Sequence, residues 1–324
     1  MSEKSIKKEH IIPSEFHGQR LDSVLASLFP EYSRSILSKW IKEDFIKLND
    51  KPCRPKDKVS SGDKILMDVS IEREDSGSVL QAQSIPLNII YEDNDILILN
   101  KPANLVVHPG AGNLQNTLVN GLLYYSSQLQ KLPRAGIIHR LDKDTTGLLI
   151  VAKSLVAYTD LIRQMQARDI QRQYLALVHG YVVSGGVIKT AFGRHPVNRL
   201  KMAVTPSGKE AITQYSIRQH LNDYTLLDVK LMTGRTHQIR VHMAHIHHPI
   251  LGDPLYGGRT KFPSNADKAL RKKIESFKRQ ALHAYYLKLT HPLSKRELTF
   301  TAPLPDDFAK LLQTLEDHYG HHQS

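Results

Sequence analysis

Apolar residues near the start of the chain predict two short helices followed by short strands. Their spacing fits two amphipathic helices, the first ended by Pro30 and the second capped by Ser33. The apolar faces comprise Leu21, Val24, Leu25, Leu28 and Phe29 in the first helix and Ile36, Leu37, Trp40 and Ile41 in the second. Turn-rich segments then bound predicted strands at 45–49 and 64–69.

Polar and aperiodic segments predict where the domains begin and end. Residues 1–17 are polar, and we predict a loosely held N-terminus there. The two helices and their strands predict a small domain over 18–72. Residues 73–85 lack helical or strand periodicity, which is typical of a linker. The remaining residues, 86–324, form the predicted main domain.

Short apolar runs in the main domain predict strands that alternate with helices. The predicted strands cover 87–91, 96–100, 148–152, 174–178 and 226–231, and the predicted helices lie near 117–125, 154–168 and 238–245. This order favours an α+β fold in which helices pack on a mixed, largely antiparallel sheet. The segment 260–278 is predicted to be an insertion, and its role stays open.

Composition excludes several classes of protein. Hydrophobic residues make up 40% and charged residues 23%, which are the proportions of an ordinary globular protein. Because no apolar run reaches the roughly 20 residues that span a bilayer, and no secretory signal is recognisable, we expect a cytoplasmic protein with no membrane partner. The single cysteine, Cys53, cannot form an internal disulfide or a cysteine-rich metal site.

The net charge of +12 is unevenly distributed along the chain. Residues 1–80 contain 14 basic and 14 acidic side chains, whereas residues 81–324 contain 30 basic and 18 acidic ones. A positive field of this kind favours polyanions, first of all nucleic acid. Charge alone leaves simple solubility as an equally good explanation.

The segment 136–151 contains the strongest candidate for chemistry, Asp142. This carboxylate lies between cationic residues, in a turn-like stretch that leads into a strand with the pattern of a buried one. In a pocket it needs a cationic partner to remain charged. The segment 234–242 offers Arg235 and Arg240, either of which could hold the carboxylate in a two-pronged geometry. Residue types alone do not choose between them.

Two further residues have side chains suited to work on a nucleic-acid base. An enzyme that alters a base inside an RNA helix must turn it out of the stack, fill the gap and hold the extruded base. Arg140 could fill the gap and contact phosphates, and Tyr174 offers an aromatic face for stacking. Each residue taken alone has an ordinary alternative, a surface charge for Arg140 and a core position for Tyr174.

Several motifs of the chain resemble the RNA pseudouridine synthases of the RluA type. The shared segments are Asn100–Pro102, His139–Asp142, Arg172–Tyr174, Gly234–His242, His248–Gly257 and Ala281–Ala284, in that order. The front domain is similar to the S4 RNA-binding domain in Gly18–Asp22, Ser33–Ser35 and Ser61–Asp63. Together these motifs cover most of the chain.

The resemblance implies a role for each candidate residue. Asp142 is then the catalytic aspartate, Arg240 its partner, Tyr174 the surface under the target base, and Arg140 a group that displaces that base. His139 and Arg235 are expected to contact RNA near the reaction. In the S4-like domain Arg34 and Lys39 are expected to contact phosphates, although both could equally belong to a solvated helix face.

The resemblance also implies the reaction and the partners. The expected activity is the isomerisation of uridine to pseudouridine in RNA, most specifically in large-subunit ribosomal RNA, by a monomer that uses no cofactor and no metal. Five histidines between 237 and 248 could suggest a metal site, but no glutamate lies beside them in the manner of a zinc hydrolase. Two other functions stay open: an RNA-binding or ribosome-assembly factor without chemistry, and a hydrolytic RNA glycosidase that releases uracil.

Overall fold

A computed structural model of the chain describes residues 4–29, 34–71, 81–110, 113–263 and 266–320. These residues form two compact units, one within 1–79 and one within 80–324. The predicted cap Ser33 and most of the predicted linker lie outside the described residues. Within the described ranges, no helix combines the length and the apolar character needed to cross a membrane.

The first unit contains two helices beside a small antiparallel sheet. Its elements are β1 Lys4–Ile11, α1 Leu21–Leu28, α2 Arg34–Lys42, β2 Ile46–Leu48, β3 Lys51–Pro52 and β4 Lys64–Ile71. The strands pair in the order β1-β4-β2-β3. The apolar helix faces predicted from the sequence meet in one core, which includes Leu25, Leu37, Ile41 and Met67.

The strand β1 corrects the prediction of a loosely held N-terminus. Lys4–Ile11 pairs along its whole length with β4. Two cross-strand ion pairs add to the backbone pairing, Lys7 with Asp68 at 3.2 Å and Lys64 with Glu9 at 2.9 Å. An edge strand of this kind is held by backbone pairing and by charged side chains. The polar composition on which the prediction depended is therefore compatible with a strand.

The second unit is built on a large sheet. Its elements are β5 Ile89–Glu92, β6 Ile96–Lys101, α3 Leu118–Tyr125, β7 Thr146–Ala152, α4 Leu155–Ala167, β8 Gln171–His179, β9 Gly186–Arg194, β10 Met202–Val204, β11 Lys209–Leu221, β12 Tyr224–Leu231, α5 Gln238–His245, α6 Lys268–Ser276, β13 Leu282–Thr290, β14 Glu297–Thr301 and α7 Asp306–Gly320. Ten strands pair in the order β10-β9-β11-β12-β8-β13-β7-β6-β5, with β14 beside β13. Every pairing is antiparallel except that of β13 with β7. The predicted α+β class with a mixed, largely antiparallel sheet is confirmed.

Both faces of the central strands are covered. Leu97, Leu99, Leu149 and Val151 point into the larger core, which α3 and α7 complete, whereas the intervening residues of β6 and β7 point into a second core beneath α4. A strand buried on both sides needs apolar residues at every position, which explains the unbroken run Gly147–Ala152 in the sequence. The turn that bears Asp142 leads directly into this rigid strand.

Gly147 permits the parallel pairing at the centre of the sheet. Its φ is +113°, and a Cβ atom built there would lie 2.2 Å from the carbonyl oxygen of Ala284 in β13. Because no side chain fits in that space, a glycine is required for β7 and β13 to approach each other next to the turn.

Candidate active site

Asp142 lies in a tight turn that is held from several directions. Its carbonyl oxygen accepts a hydrogen bond from the Thr145 backbone N–H at 3.1 Å. Arg279 donates to the carbonyl oxygen of Asp144 at 3.2 Å, and Gln280 donates to the Thr145 hydroxyl at 3.0 Å. The backbone of the turn is therefore fixed before any substrate binds.

Lys101 is a buried residue whose side chain is hydrogen-bonded to the backbone of the same turn. Its ammonium donates to the carbonyl oxygen of Lys143 at 2.8 Å, and also to those of Pro102 and Leu105. Burial, the largest influence, lowers the pKa of Lys101 to about 7, although Asp144 and Asp142 act in the opposite direction. Three carbonyl acceptors satisfy all three N–H groups of the ammonium.

Arg240 connects Asp142 to a second carboxylate. Its Nη1 donates to Asp142 Oδ2 at 3.2 Å, and its Nε and Nη2 donate to the two oxygens of Asp253 at 2.7 and 2.8 Å. Burial would raise the pKa of Asp253, but the hydrogen bonds and charge of Arg240 outweigh it and hold that pKa below its ordinary value. The side chain of Asp253 is fully buried, while that of Asp142 retains 14% exposure. Asp142 is thus the carboxylate that a substrate can reach.

His237 and Tyr256 extend this network. His237 Nε2 lies 3.9 Å from Asp142 Oδ1, and His237 Nδ1 lies 2.8 Å from the Tyr256 hydroxyl oxygen. That oxygen also accepts the backbone N–H of Met202 at 2.8 Å, and the guanidinium of Arg240 lies over the tyrosine ring at 5.1 Å. With the Tyr256 hydroxyl hydrogen-bonded to Nδ1, the other imidazole nitrogen, Nε2, is the one that faces Asp142.

A basic cleft of about 760 Å³ opens in front of Asp142. Arginines dominate its wall: Arg134, Arg140, Arg168, Arg172 and Arg235. Among the described residues that line it, Asp142 is the only acidic one. Tyr174 borders the same cleft, although only 3% of its surface is exposed. The structure therefore brings Asp142, Arg240, Tyr174, Arg140 and Arg235 together.

His139 precedes the turn that bears Asp142, and its side chain is hydrogen-bonded to the backbone of β7. Its Nε2 accepts the backbone N–H of Ile150 in β7 at 3.2 Å. Burial, and after it the charge of Arg172, lowers the pKa of His139 to about 3, so the ring is neutral. The residue borders the cleft, and its expected contact with RNA stays a prediction.

Arg34 and Lys39 lie on α2 in the first unit. Arg34 donates to Asp22 at 2.9 Å, as Arg20 does at 3.0 Å, and the Arg34 side chain is 53% exposed. Hydrogen bonding from Arg20, with a further contribution from Arg34, lowers the pKa of Asp22 to about 2 despite its burial. Lys39 lies 3.6 Å from Glu43. Both cations therefore have acidic neighbours, and both remain accessible to a phosphate.

Three of the five histidines between 237 and 248 are hydrogen-bonded to protein groups: His237, His242 and His248. The two nitrogens of His242 lie 3.0 and 2.8 Å from the hydroxyls of Thr190 and Thr213. In the described part of the chain, the one histidine and carboxylate group close enough to share a metal ion is Asp93, Asp95 and His291. His291 Nδ1 accepts backbone N–H groups, so its Nε2 donates to Asp93 at 2.9 Å. This arrangement is a hydrogen-bonded link between two turns.

Four residues of the site escaped the sequence-based prediction: Lys101, His237, Asp253 and Tyr256. Each belongs to a motif used for the resemblance, but none was assigned a role there. An arginine with five N–H groups needs more than one carboxylate oxygen when it is buried, which predicts a second acceptor for Arg240 but does not identify Asp253. The roles of Lys101 and Tyr256 depend on side chains that meet only in the folded chain.

An accessible carboxylate in an arginine-lined cleft, on a chain with a separate helix pair that presents Arg34 and Lys39, is typical of an enzyme that acts on nucleic acid. Comparisons with known proteins agree. The family described as RNA pseudouridylate synthase matches residues 95–245, and the S4 domain matches residues 19–65. The chain belongs to the RNA pseudouridine synthases, and the resemblance inferred from its motifs is confirmed.

Individual relatives support the same assignment. The chain is 51% identical over 313 residues to ribosomal large subunit pseudouridine synthase D of Haemophilus influenzae, covering 96% of each protein. It is 48% identical over 307 residues to the protein of that name in Escherichia coli, covering 94% of this chain and 93% of the relative. A solved structure, human RNA pseudouridylate synthase domain containing 4, is 25% identical with a TM-score of 0.57, covering 71% of this chain and 93% of the human one.

Proposed function

We propose that this enzyme converts specific uridines of large-subunit ribosomal RNA to pseudouridine, with Asp142 as the reactive carboxylate. The observation that carries this proposal is the position of Asp142, the acidic residue of an otherwise basic cleft, hydrogen-bonded to Arg240. The names of the similar bacterial proteins support ribosomal RNA as the substrate class. An enzyme of ribosomal RNA works where ribosomes are made, so the proposal includes a cytoplasmic location.

Each proposed role follows from the placement of the side chain. Arg140 is exposed at the cleft and can occupy the gap left by the extruded uridine while it contacts phosphates. Tyr174 lines the cleft floor and offers its ring to the uracil. Arg240 keeps Asp142 charged and oriented. Arg235, exposed at the same cleft, is a further RNA contact.

The reaction needs no change of composition. The bond between N1 and C1′ breaks, the uracil turns within the cleft, and C5 bonds to C1′ while the proton on C5 leaves and N1 gains one. Water must be kept from C1′, because its attack there would release the base. The mostly buried ring of Tyr174 supports such exclusion.

Replacement of Asp142 tests this proposal. Purified Asp142→Asn and wild-type protein are incubated with ribosomal RNA, and pseudouridine is mapped by a selective chemical adduct that arrests reverse transcription. We expect modified sites with the wild type only, and equal RNA affinity for both proteins. Asp169→Asn, at an exposed carboxylate outside the cleft lining, serves as the charge-matched control and should retain activity.

The same experiment separates the other functions. A binding or assembly factor would leave no pseudouridine with either protein, and a glycosidase would release free uracil and leave abasic sites. Full turnover by Asp142→Asn would remove the carboxylate from the mechanism. Light scattering during size-exclusion chromatography tests the accompanying proposal that the enzyme is a monomer.

A further inference from the structure

Arg172 is a buried cation without a carboxylate partner among the described residues. Of the buried arginines in those ranges, Arg240 is hydrogen-bonded by two oxygens of Asp253 and Arg279 by two oxygens of Asp307. Arg172 is 8% exposed, has no ion pair with any described acidic residue, and its Nε makes no hydrogen bond.

This arrangement destabilises the folded protein. A buried guanidinium loses its hydration, and without a partner it recovers little of that free energy. A buried polar group left unpaired calls for a specific explanation, and at the wall of a cleft the geometry favours a ligand that completes the contact. The position of Arg172 therefore indicates a site for an electron-rich group of the substrate.

The location of Arg172 identifies which part of the substrate it meets. Residues 172 and 174 are two apart on β8, so their side chains point to the same face, and both line the cleft that contains Asp142. Gly234 faces the guanidinium, because a Cβ atom built there would lie 3.0 Å from Nη1 of Arg172. The guanidinium thus lies in the wall beside the proposed stacking surface, where the extruded uracil would be.

We propose that Arg172 binds a carbonyl oxygen of the extruded uracil and stabilises the negative charge that develops when the glycosidic bond breaks. This inference depends on the proposed function. When the C1′–N1 bond breaks, its electron pair leaves with the base, and the charge spreads over N1, O2 and O4. The pair returns to C1′ when C5 bonds there, the C5 proton leaves and N1 is protonated, so Arg172 donates hydrogen bonds throughout but transfers no proton.

A phosphate is the competing ligand for such a cation. Arg140, Arg168 and Arg235 are exposed arginines of the same cleft, so an RNA backbone can reach them more readily than it can reach Arg172. A phosphate contact would affect RNA binding, whereas a contact with the departing base would affect the rate of bond cleavage. The two assignments therefore predict different kinetic defects.

A substrate whose departing base is more acidic tests the proposal. A synthetic RNA that the wild type modifies is prepared with uridine or with 5-fluorouridine at the target, since fluorine makes the base a better leaving group. Single-turnover loss of the N-linked nucleoside is measured for wild-type and Arg172→Gln protein. We expect the variant to be slower by about 100-fold on uridine and by about 10-fold or less on 5-fluorouridine.

Two variants make the outcome specific. Gly234→Ala displaces the guanidinium while keeping its charge, and should show the same dependence on the leaving group at a smaller magnitude. Arg168→Gln, at an exposed arginine of the same cleft that lies 3.6 Å from Glu210, should slow both substrates equally. Equal losses on both RNAs for Arg172→Gln would overturn the inference, as would a defect confined to RNA affinity. Failure of the wild type to form pseudouridine would instead count against the proposed function.

Discussion

Arg240 donates two hydrogen bonds to Asp253, so this buried carboxylate, rather than Asp142, is its principal partner. Asp253 Oδ1 also accepts the backbone N–H groups of Leu255 and Tyr256 at 2.9 and 3.0 Å. The guanidinium is therefore fixed from behind by a carboxylate that is itself fixed, and it presents one Nη to Asp142. Asp253 is a positioning residue for the proposed catalytic pair.

Replacing Asp253 should impair catalysis although its buried side chain does not reach the substrate. In Asp253→Asn the side-chain amide would keep an oxygen for the two backbone N–H groups, but the charge that holds Arg240 would be lost. We expect this variant to lower kcat by about 10- to 100-fold with KM within about twofold, because a misplaced reactive group costs rate more than affinity. Steady-state kinetics and a thermal unfolding curve measure the effect. A kcat within twofold of wild type would show that Asp142 needs no support from Asp253.

Tyr256 and His237, which are hydrogen-bonded to each other, should contribute to catalysis as one unit. Tyr256→Phe removes the hydroxyl that is hydrogen-bonded to His237, and His237→Gln removes the imidazole that faces Asp142. We expect each variant to lower the single-turnover rate by about tenfold, and the double variant to be no slower than either one, since coupled groups give non-additive effects. Additive losses would show independent roles. Tyr124→Phe, at an exposed tyrosine outside the cleft, is the matched control.

The sequence predicted which residues lie together at the cleft better than it predicted the contacts behind them. Asp142, Tyr174 and Arg240 were predictable because their motifs resemble a known family, and residue chemistry alone left Arg235 and Arg240 undecided. Asp253 and Lys101 act through buried contacts 13 and 42 residues apart in sequence, and no local pattern indicates such pairs. Arg172 is distinguished from the other buried arginines only by the lack of a partner among described residues, which requires coordinates.

The strands of the fold differ in the same way: those with apolar runs were predictable from the sequence, and those held mainly by backbone pairing were not. Strands β6, β7, β8 and β12 were predictable because their apolar runs are buried on the sheet. Strands β1 and β11 have many polar residues, because one face of each meets solvent or lies at an edge. Their pairing depends on the backbone, so alternation in the sequence is weak there.

Replacing Arg34 or Lys39 should show whether this surface of the first unit binds RNA or only stabilises the fold. If both contact phosphates, Arg34→Gln and Lys39→Gln should each weaken RNA binding and reduce the slope of log K against log salt by about one. Filter binding across a salt series measures this slope. Because Arg34 is also ion-paired with Asp22, thermal unfolding must be recorded in parallel. Lower stability with an unchanged salt slope would assign Arg34 to the fold alone.

The buried ring of His242 should make the second unit sensitive to acid. Burial, with a smaller effect from His245, lowers its pKa to about 4, while an unfolded histidine has a pKa of roughly 6.5. Between these values the unfolded chain binds a proton that the folded chain does not, so the free energy of unfolding falls as the pH decreases from about 6.5 to about 4.

A variant without a titratable side chain at position 242 isolates the contribution of His242 to the pH dependence of the free energy of unfolding. An amide at position 242 can still donate to one threonine hydroxyl and accept from the other, so His242→Gln should fold. We expect the loss of unfolding free energy between about pH 7 and about pH 5 to be smaller in His242→Gln by roughly 2 kcal/mol, measured by urea denaturation. His245→Gln, at an exposed position of the same helix, should change that loss by less than about 0.5 kcal/mol. Equal losses in wild type and His242→Gln would mean that His242 binds its proton over the same pH range in the folded and the unfolded chain.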